Sequence, residues 1–247
     1  MLYFILGTII GSFLNVVITR SPNNQSIVSP RSHCLTCKKQ IPFYHNIPIL
    51  SYILLKGKCA NCHHKISIQY ILVETLVGIL FYVIFNLFSL EQALLLSIVF
   101  SSLVVLSVID LYHLLIPVNM IIILYILIIP KIFIYDSSII EATYGALISI
   151  LYLGLPALFI SFIKKNKSVL GFGDILLSIF VGGWLGVVHG IACLFLASVI
   201  GIFFVIYFII VNRDKTLRKI PFGMCISISF IIIILIEKYY NFKLFIF

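Results

Sequence analysis

Between residues 2 and 236 the chain is a succession of apolar runs long enough to cross a bilayer, mostly separated by short polar stretches. In hydrocarbon there is no water to satisfy backbone N–H and C=O groups. Each run must therefore close its own hydrogen bonds as a helix. A mean hydropathy of +1.21 over 247 residues points to an all-α polytopic membrane protein rather than a soluble domain. Spans are expected at residues 2–19, 70–88, 92–109, 118–134, 142–163 and 222–236. The run at 175–211 holds 37 residues, too many for one crossing at about 1.5 Å per residue. Gly182-Gly183-Trp184-Leu185-Gly186, followed by His189-Gly190, offers a turn inside it, so two helices are expected there. The total is about eight transmembrane helices. Residues 1–19 have no basic n-region and no small-x-small cleavage site, so they read as a first helix that stays rather than a signal peptide.

The net charge of +9 is concentrated. Fourteen of the 17 Lys and Arg fall at 20–65, 164–167 and 213–219. With the N-terminus outside, all three clusters lie in inside loops, and only Lys131, Lys238 and Lys243 lie on the other side. That asymmetry follows the positive-inside rule and marks cytoplasmic loops. No separate basic face carries stacking aromatics, which argues against a nucleic-acid partner; the lipid bilayer is the expected surrounding. The domain plan is residues 1–19 as first helix, 20–69 as a cytoplasmic loop, and 70–247 as a seven-helix membrane region.

The loop at 20–69 is too short to bury a core of its own, so a staple is expected. Cys34-Leu35-Thr36-Cys37 and Cys59-Ala60-Asn61-Cys62 supply it. Two residues between thiolates let one knuckle turn present both sulfurs to a tetrahedral ion, and paired Cys-x2-Cys spacing is that of structural zinc. Lys38, Lys39, Lys58 and Lys65 would favour thiolates, and a reducing cytoplasm disfavours disulfides. Four thiolates leave no open position for water, so the zinc is structural rather than catalytic. His33, His63 and His64 read as loop residues beside the site. Cys193 and Cys225 read as small apolar fillers in helices.

Asp110 and Asp174 stand where long apolar runs meet short turns, in a chain with only eight acidic residues. A carboxylate at membrane depth costs roughly 2.5–3.5 kcal/mol on insertion scales and is usually kept for chemistry or a pathway. On the topology above both sit at cytoplasmic helix ends. An aspartic dyad needs two carboxyls so close that one ionises while the other stays protonated, one serving as base on water and one as acid. Gly171 and Gly173, in Gly171-Phe172-Gly173-Asp174, would permit positive φ and let an extended peptide lie beside the acid. His113 reads as an interfacial polar residue and His189 as a structural one on the outer side. Glu74, five residues after Gln69, lies either at the interface or toward the bundle interior.

These segments together resemble the type IV prepilin peptidases, a branch of the Gly-x-Gly-Asp membrane aspartyl proteases. The resemblance runs through Gly11-Ser12-Phe13-Leu14-Asn15 with Arg20, through Ser32-His33-Cys34 to Cys37, and through Asn46-Ile47-Pro48-Ile49-Leu50-Ser51-Tyr52. It continues in Gly57-Lys58-Cys59 to Cys62, Gln69-Tyr70 with Glu74, Asp110 with Ile116-Pro117, Gly171 to Asp174, and Ile220-Pro221-Phe222-Gly223. The chain departs from the family at Leu176, Val118-Asn119 and Met224. The resemblance implies a peptidase that uses Asp110 and Asp174 to cut prepilins or pseudopilins after a Gly at the inner membrane surface. It also implies N-methylation of the new N-terminus, with S-adenosylmethionine as donor and the region of Glu74 involved. Pili, secretion systems and DNA-uptake pseudopili all use such enzymes. The competing classes are a Gly-x-Gly-Asp protease with another substrate, whose members generally lack the cysteine loop, and a transporter or scaffold whose acids bind a cation or proton.

Overall fold

The computed structural model describes every residue except 24, 164–169, 213–219 and 241–247. The basic clusters at 164–167 and 213–219, together with Lys243, therefore lie outside the described residues. The described residues are all-helical apart from two isolated β-bridges. They divide into two compact units, Met1–Val105 and Leu106–Phe247.

In the first unit α1 (Leu2–Arg20) packs along α3 (Gln69–Leu87). Gly7 and Gly11 form a Gly-x3-Gly face that brings the two backbones together. A Cβ on Gly7 would lie 2.8 Å from the Cα of Gly78, and one on Gly11 2.8 Å from the Cα of Glu74. In lipid, where burying apolar side chains gives little drive, such close backbone approach is what holds helices together. Tyr3 stacks on Phe85 at 4.4 Å further along the same contact. Between these helices lies the polar loop, with one short α-helix, α2 (Leu50–Leu54), and two 3₁₀ turns, Ser21–Asn23 and Phe43–Asn46.

Helix α4 (Leu90–His113) runs one turn further than the sequence suggests, so Asp110 sits inside a helix rather than in a link. Nothing in Leu111-Tyr112-His113 breaks a helix. The stop comes at Leu114, whose φ of 54° and N–H bond to the carbonyl of Asp110 (2.9 Å) make a left-handed C-terminal cap. The expected span at 118–134 breaks instead into α5 (Val118–Ile126) and α6 (Ile128–Ile134). Pro130 has no N–H for the carbonyl of Ile126 and its ring crowds that carbonyl, so the helix cannot continue through Leu127.

In the second unit α7 (Ile139–Ile163) packs on α8 (Phe172–Asn212), and α8 on α9 (Phe222–Tyr240). Gly186, at φ 76° and ψ −171°, breaks α8 into two arms. A Cβ on Gly190 would lie 3.2 Å from the Cα of Gly182. Eight residues of straight helix would separate them by about 12 Å. The arms fold back on each other, as the two-helix reading of 175–211 expected. Gly145 of α7 meets the carbonyl of Gly182 at this turn. Phe180, Trp184 and Phe230 form an aromatic cluster with centroids 5.4–6.1 Å apart. Among the described residues six helices are long and apolar enough to cross a membrane: α1, α3, α4, α7, α8 and α9. Counting α8 as two arms and α5–α6 as one broken span gives the eight expected segments.

Candidate active site and metal centre

Asp110 is buried in the last turn of α4. Its Oδ2 accepts the backbone N–H of Met224 at 3.0 Å, and the N–H of Gly223 also reaches the carboxylate. Both donors belong to the first turn of α9. The first N–H groups of a helix have no partner within it, and the helix dipole places positive charge there, so this end is suited to hold an anion. Gly223 eases the approach, because a Cβ would stand 3.1 Å from Oδ2 and the carboxylate would have to give by a few tenths of an ångström. The Phe222-Gly223 pair thus gains a physical role: it lets a helix end meet an acid.

Asp174 sits in the first turn of α8, its N–H bonded to the carbonyl of Gly171 at 3.1 Å. A Cβ on Gly171 would lie 2.9 Å from its Oδ2, and one on Gly173 2.7 Å from the Cβ of Ile116. Neither glycine has positive φ; Gly57 and Gly186 are the only described glycines that do. The need for glycine here is close approach alone, which corrects the expectation of left-handed backbone. Ile116 wedges between the two glycine-bearing turns, since a Cβ on Gly223 would lie 2.7 Å from its Cδ1. Asp110 and Asp174 are within range of direct charge–charge repulsion. Cys225, read as a filler, is buried within the electrostatic reach of both and donates to the carbonyl of Pro221 at 3.5 Å. His113 is exposed, and His189 lies at the Gly186 turn, at the far end of that arm.

In the first unit the sulfurs of Cys34, Cys37, Cys59 and Cys62 all lie within 4.8 Å of one another. Cys34 and Cys62 are 3.8 Å apart. A tetrahedral site with bonds of about 2.3 Å has sulfur–sulfur edges of about 3.8 Å, so the cluster fits one metal ion. The loop is built twice, 25 residues apart. The N–H of Cys34 binds the carbonyl of Lys39, as that of Cys59 binds His64. Lys38 and His63 take matching positive φ of 59° and 56°. His33 bridges Gln40, as Lys58 bridges Lys65. The imidazoles of His33, His63 and His64 are not part of the four-sulfur cluster. The Cys34 thiol is held down to about 6, chiefly by the N–H of Cys37, against the effect of burial. At Cys62 the N–H of His64 pulls the other way, but burial and the three neighbouring thiols push it up to about 11. Four thiols crowded at one point cannot all ionise without a cation.

Glu74 faces inward: it is buried, its Oε2 accepts the N–H of Ile49 at 2.8 Å, and the Ser12 side chain hydrogen-bonds the carboxylate. Ile49 has a φ of 63°, rare for a β-branched residue, and the carboxylate holds it there.

The model for the bacterial peptidase A24 N-terminal domain matches residues 5–88, and that for the type IV leader peptidase family matches residues 97–206. A prepilin leader peptidase/N-methyltransferase of Vibrio cholerae is 35% identical over 94% of this chain and 94% of its own length. A type 4 prepilin-like proteins leader peptide-processing enzyme of Escherichia coli is 34% identical over 90% of this chain and 88% of its own. A prepilin leader peptidase/N-methyltransferase of Myxococcus xanthus is 46% identical over 47% of this chain, which is 35% of that relative. No solved structure matches. With both halves matched and relatives aligned nearly end to end, the chain belongs to the type IV leader peptidase family.

Proposed function

We propose that this multi-pass membrane protein removes the leader of type IV prepilins or pseudopilins as an aspartic endopeptidase and then N-methylates the new N-terminus. The pairing of Asp110 with Asp174 beside the first turn of α9 is the observation that carries the peptidase half. Asp110 commits Oδ2 to the N–H of Met224, and its other oxygen is the one that takes a water molecule. One carboxylate takes a proton as water attacks the scissile carbonyl. The other gives a proton to the leaving amine, and the pair titrates as a unit. Gly171 keeps the approach to Asp174 low enough for an extended peptide, and Gly173 lets Ile116 pack against the same turn.

The N-terminus lies outside and the dyad faces the cytoplasm of a bacterial inner membrane, a reading supported by the charge asymmetry of the loops. Zinc is the ion for Cys34, Cys37, Cys59 and Cys62, supported by the sulfur spacing and four-thiolate donor set; its role is to fold the loop. S-adenosylmethionine supplies the methyl group. The described residues contain no glycine-rich strand-to-helix cradle for a nucleoside, so this half is supported by the relatives' names, with Glu74 contributing by holding the loop against α3. The test is purified enzyme mixed with a prepilin. Asp110→Asn and Asp174→Asn should each leave the precursor at full length while zinc content stays that of the unaltered protein; processing by either variant at the normal rate refutes the dyad.

A further inference from the structure

The cysteine loop carries an apolar surface that its own fold does not cover. Phe43 is 86% exposed, Leu54 79%, Ile53 59% and Leu50 58%. Leu50, Ile53 and Leu54 follow the i, i+3, i+4 spacing that places them on one face of α2, and Tyr44 and Ile47 beside them are also exposed. A patch of this kind outside the spanning helices marks a contact surface.

Its depth is fixed within the unit. Helix α3 has 19 residues, so it is about 28 Å long and just spans the hydrocarbon. Glu74 lies five residues in from Gln69, about 7.5 Å below the helix start. Its carboxylate binds the N–H of Ile49, the residue immediately before α2. Helix α2 therefore sits at the headgroup–acyl boundary, the depth at which interfacial helices bury their apolar faces. Charge selects the lipid. Residues 20–69 hold seven Lys and Arg and no Asp or Glu. Beside Leu54 a cavity of about 430 Å³ is lined by His45, Leu54, Leu55, Lys56, Lys58, Cys59, Ala60 and His63; it borders the sulfur cluster at Cys59 and carries Lys56 and Lys58 as its cations.

The geometry points to segment 43–58 as an interfacial anchor that inserts Phe43, Leu50, Ile53 and Leu54 into the bilayer and receives an anionic phospholipid headgroup between Lys56 and Lys58. The module is then a second membrane-contacting element in addition to the spanning helices, and it keeps the loop at the membrane surface.

The test uses the full chain in nanodiscs, with Leu54→Trp or Phe43→Trp added to the native Trp184. Both positions are exposed, so folding is unaffected, and unchanged zinc content checks this. Phosphatidylcholine brominated in the acyl chain should quench the added indole. Quenching should strengthen when phosphatidylglycerol replaces half of the unbrominated lipid, and Lys56→Glu/Lys58→Glu should abolish that increase. Unquenched, water-like emission at both positions would overturn insertion. Equal quenching with and without phosphatidylglycerol would overturn headgroup selection. Shielding that appears only when prepilin is added would assign the surface to substrate and overturn the proposal.

Discussion

Replacing Gly223 with Ala probes the contact between α9 and Asp110 with a single methyl group. That methyl would stand 2.7 Å from the Cδ1 of Ile116, 3.1 Å from Oδ2 of Asp110 and 3.4 Å from its Cγ. Ile116 Cδ1 is the free end of a flexible side chain and can rotate away. The carboxylate cannot move freely, because Oδ2 is held 3.0 Å from the N–H of Met224. It must give by a few tenths of an ångström, which weakens a charge-assisted bond worth about 1.5–3 kcal/mol without breaking it. Taking half of that, about 0.8–1.5 kcal/mol, the cleavage rate should fall about 4- to 13-fold. Alanine is the better helix former by about 1 kcal/mol, so accumulation in the membrane should not drop. The assay is the initial rate of leader removal in membranes, read by the shift of prepilin to mature pilin at matched enzyme levels. Adding Ile116→Val removes the Cδ1 contact and leaves the Asp110 contact, so the double variant should remain slow. Normal cleavage by Gly223→Ala, or full recovery in the double variant, would refute the view that α9 positions this acid.

Three further outcomes follow from the packing. Gly7→Leu forces a side chain against the backbone at Gly78, which has no flexible end to yield; overpacking of about 1–3 kcal/mol should lower the folded fraction recovered from membranes, measured by protease resistance. Glu74→Gln keeps an acceptor for the N–H of Ile49 and should be tolerated, whereas Glu74→Ala leaves that donor unpaired at a cost of about 1–3 kcal/mol and should speed proteolysis of the cysteine loop about tenfold. Cys37→Ser removes one of four thiolates, so metal analysis should fall from about one zinc per chain toward none, with the loop becoming protease-sensitive.

The apolar runs made the helical architecture legible, because length and hydropathy suffice to place helices in lipid. The cysteine spacing likewise announced a four-sulfur cluster. What stayed hidden depended on contacts between distant residues. Asp110 reads as part of a link because Leu111-Tyr112-His113 carries no helix signal of its own, yet the helix continues until Leu114 caps it. The duplication of the knuckles is masked because Cys-x2-Cys followed by Ile41 or Ile66 is all that the two copies share in sequence; the repeat is written in φ values and backbone bonds. Gly7-x3-Gly11 was available as a packing signal in the sequence, and the break before Pro130 could have been read from that proline. The role of Gly223 was not, since its partner Asp110 is 113 residues away.

The central claim is that Asp110 and Asp174 together perform one hydrolysis. It is tested most directly by mass spectrometry of the N-terminus of a prepilin co-expressed with the unaltered enzyme, Asp110→Asn or Asp174→Asn. A mature, methylated N-terminus is expected with the unaltered enzyme and an intact leader with either variant, each variant accumulating normally. A mature N-terminus produced by either Asn variant would contradict it.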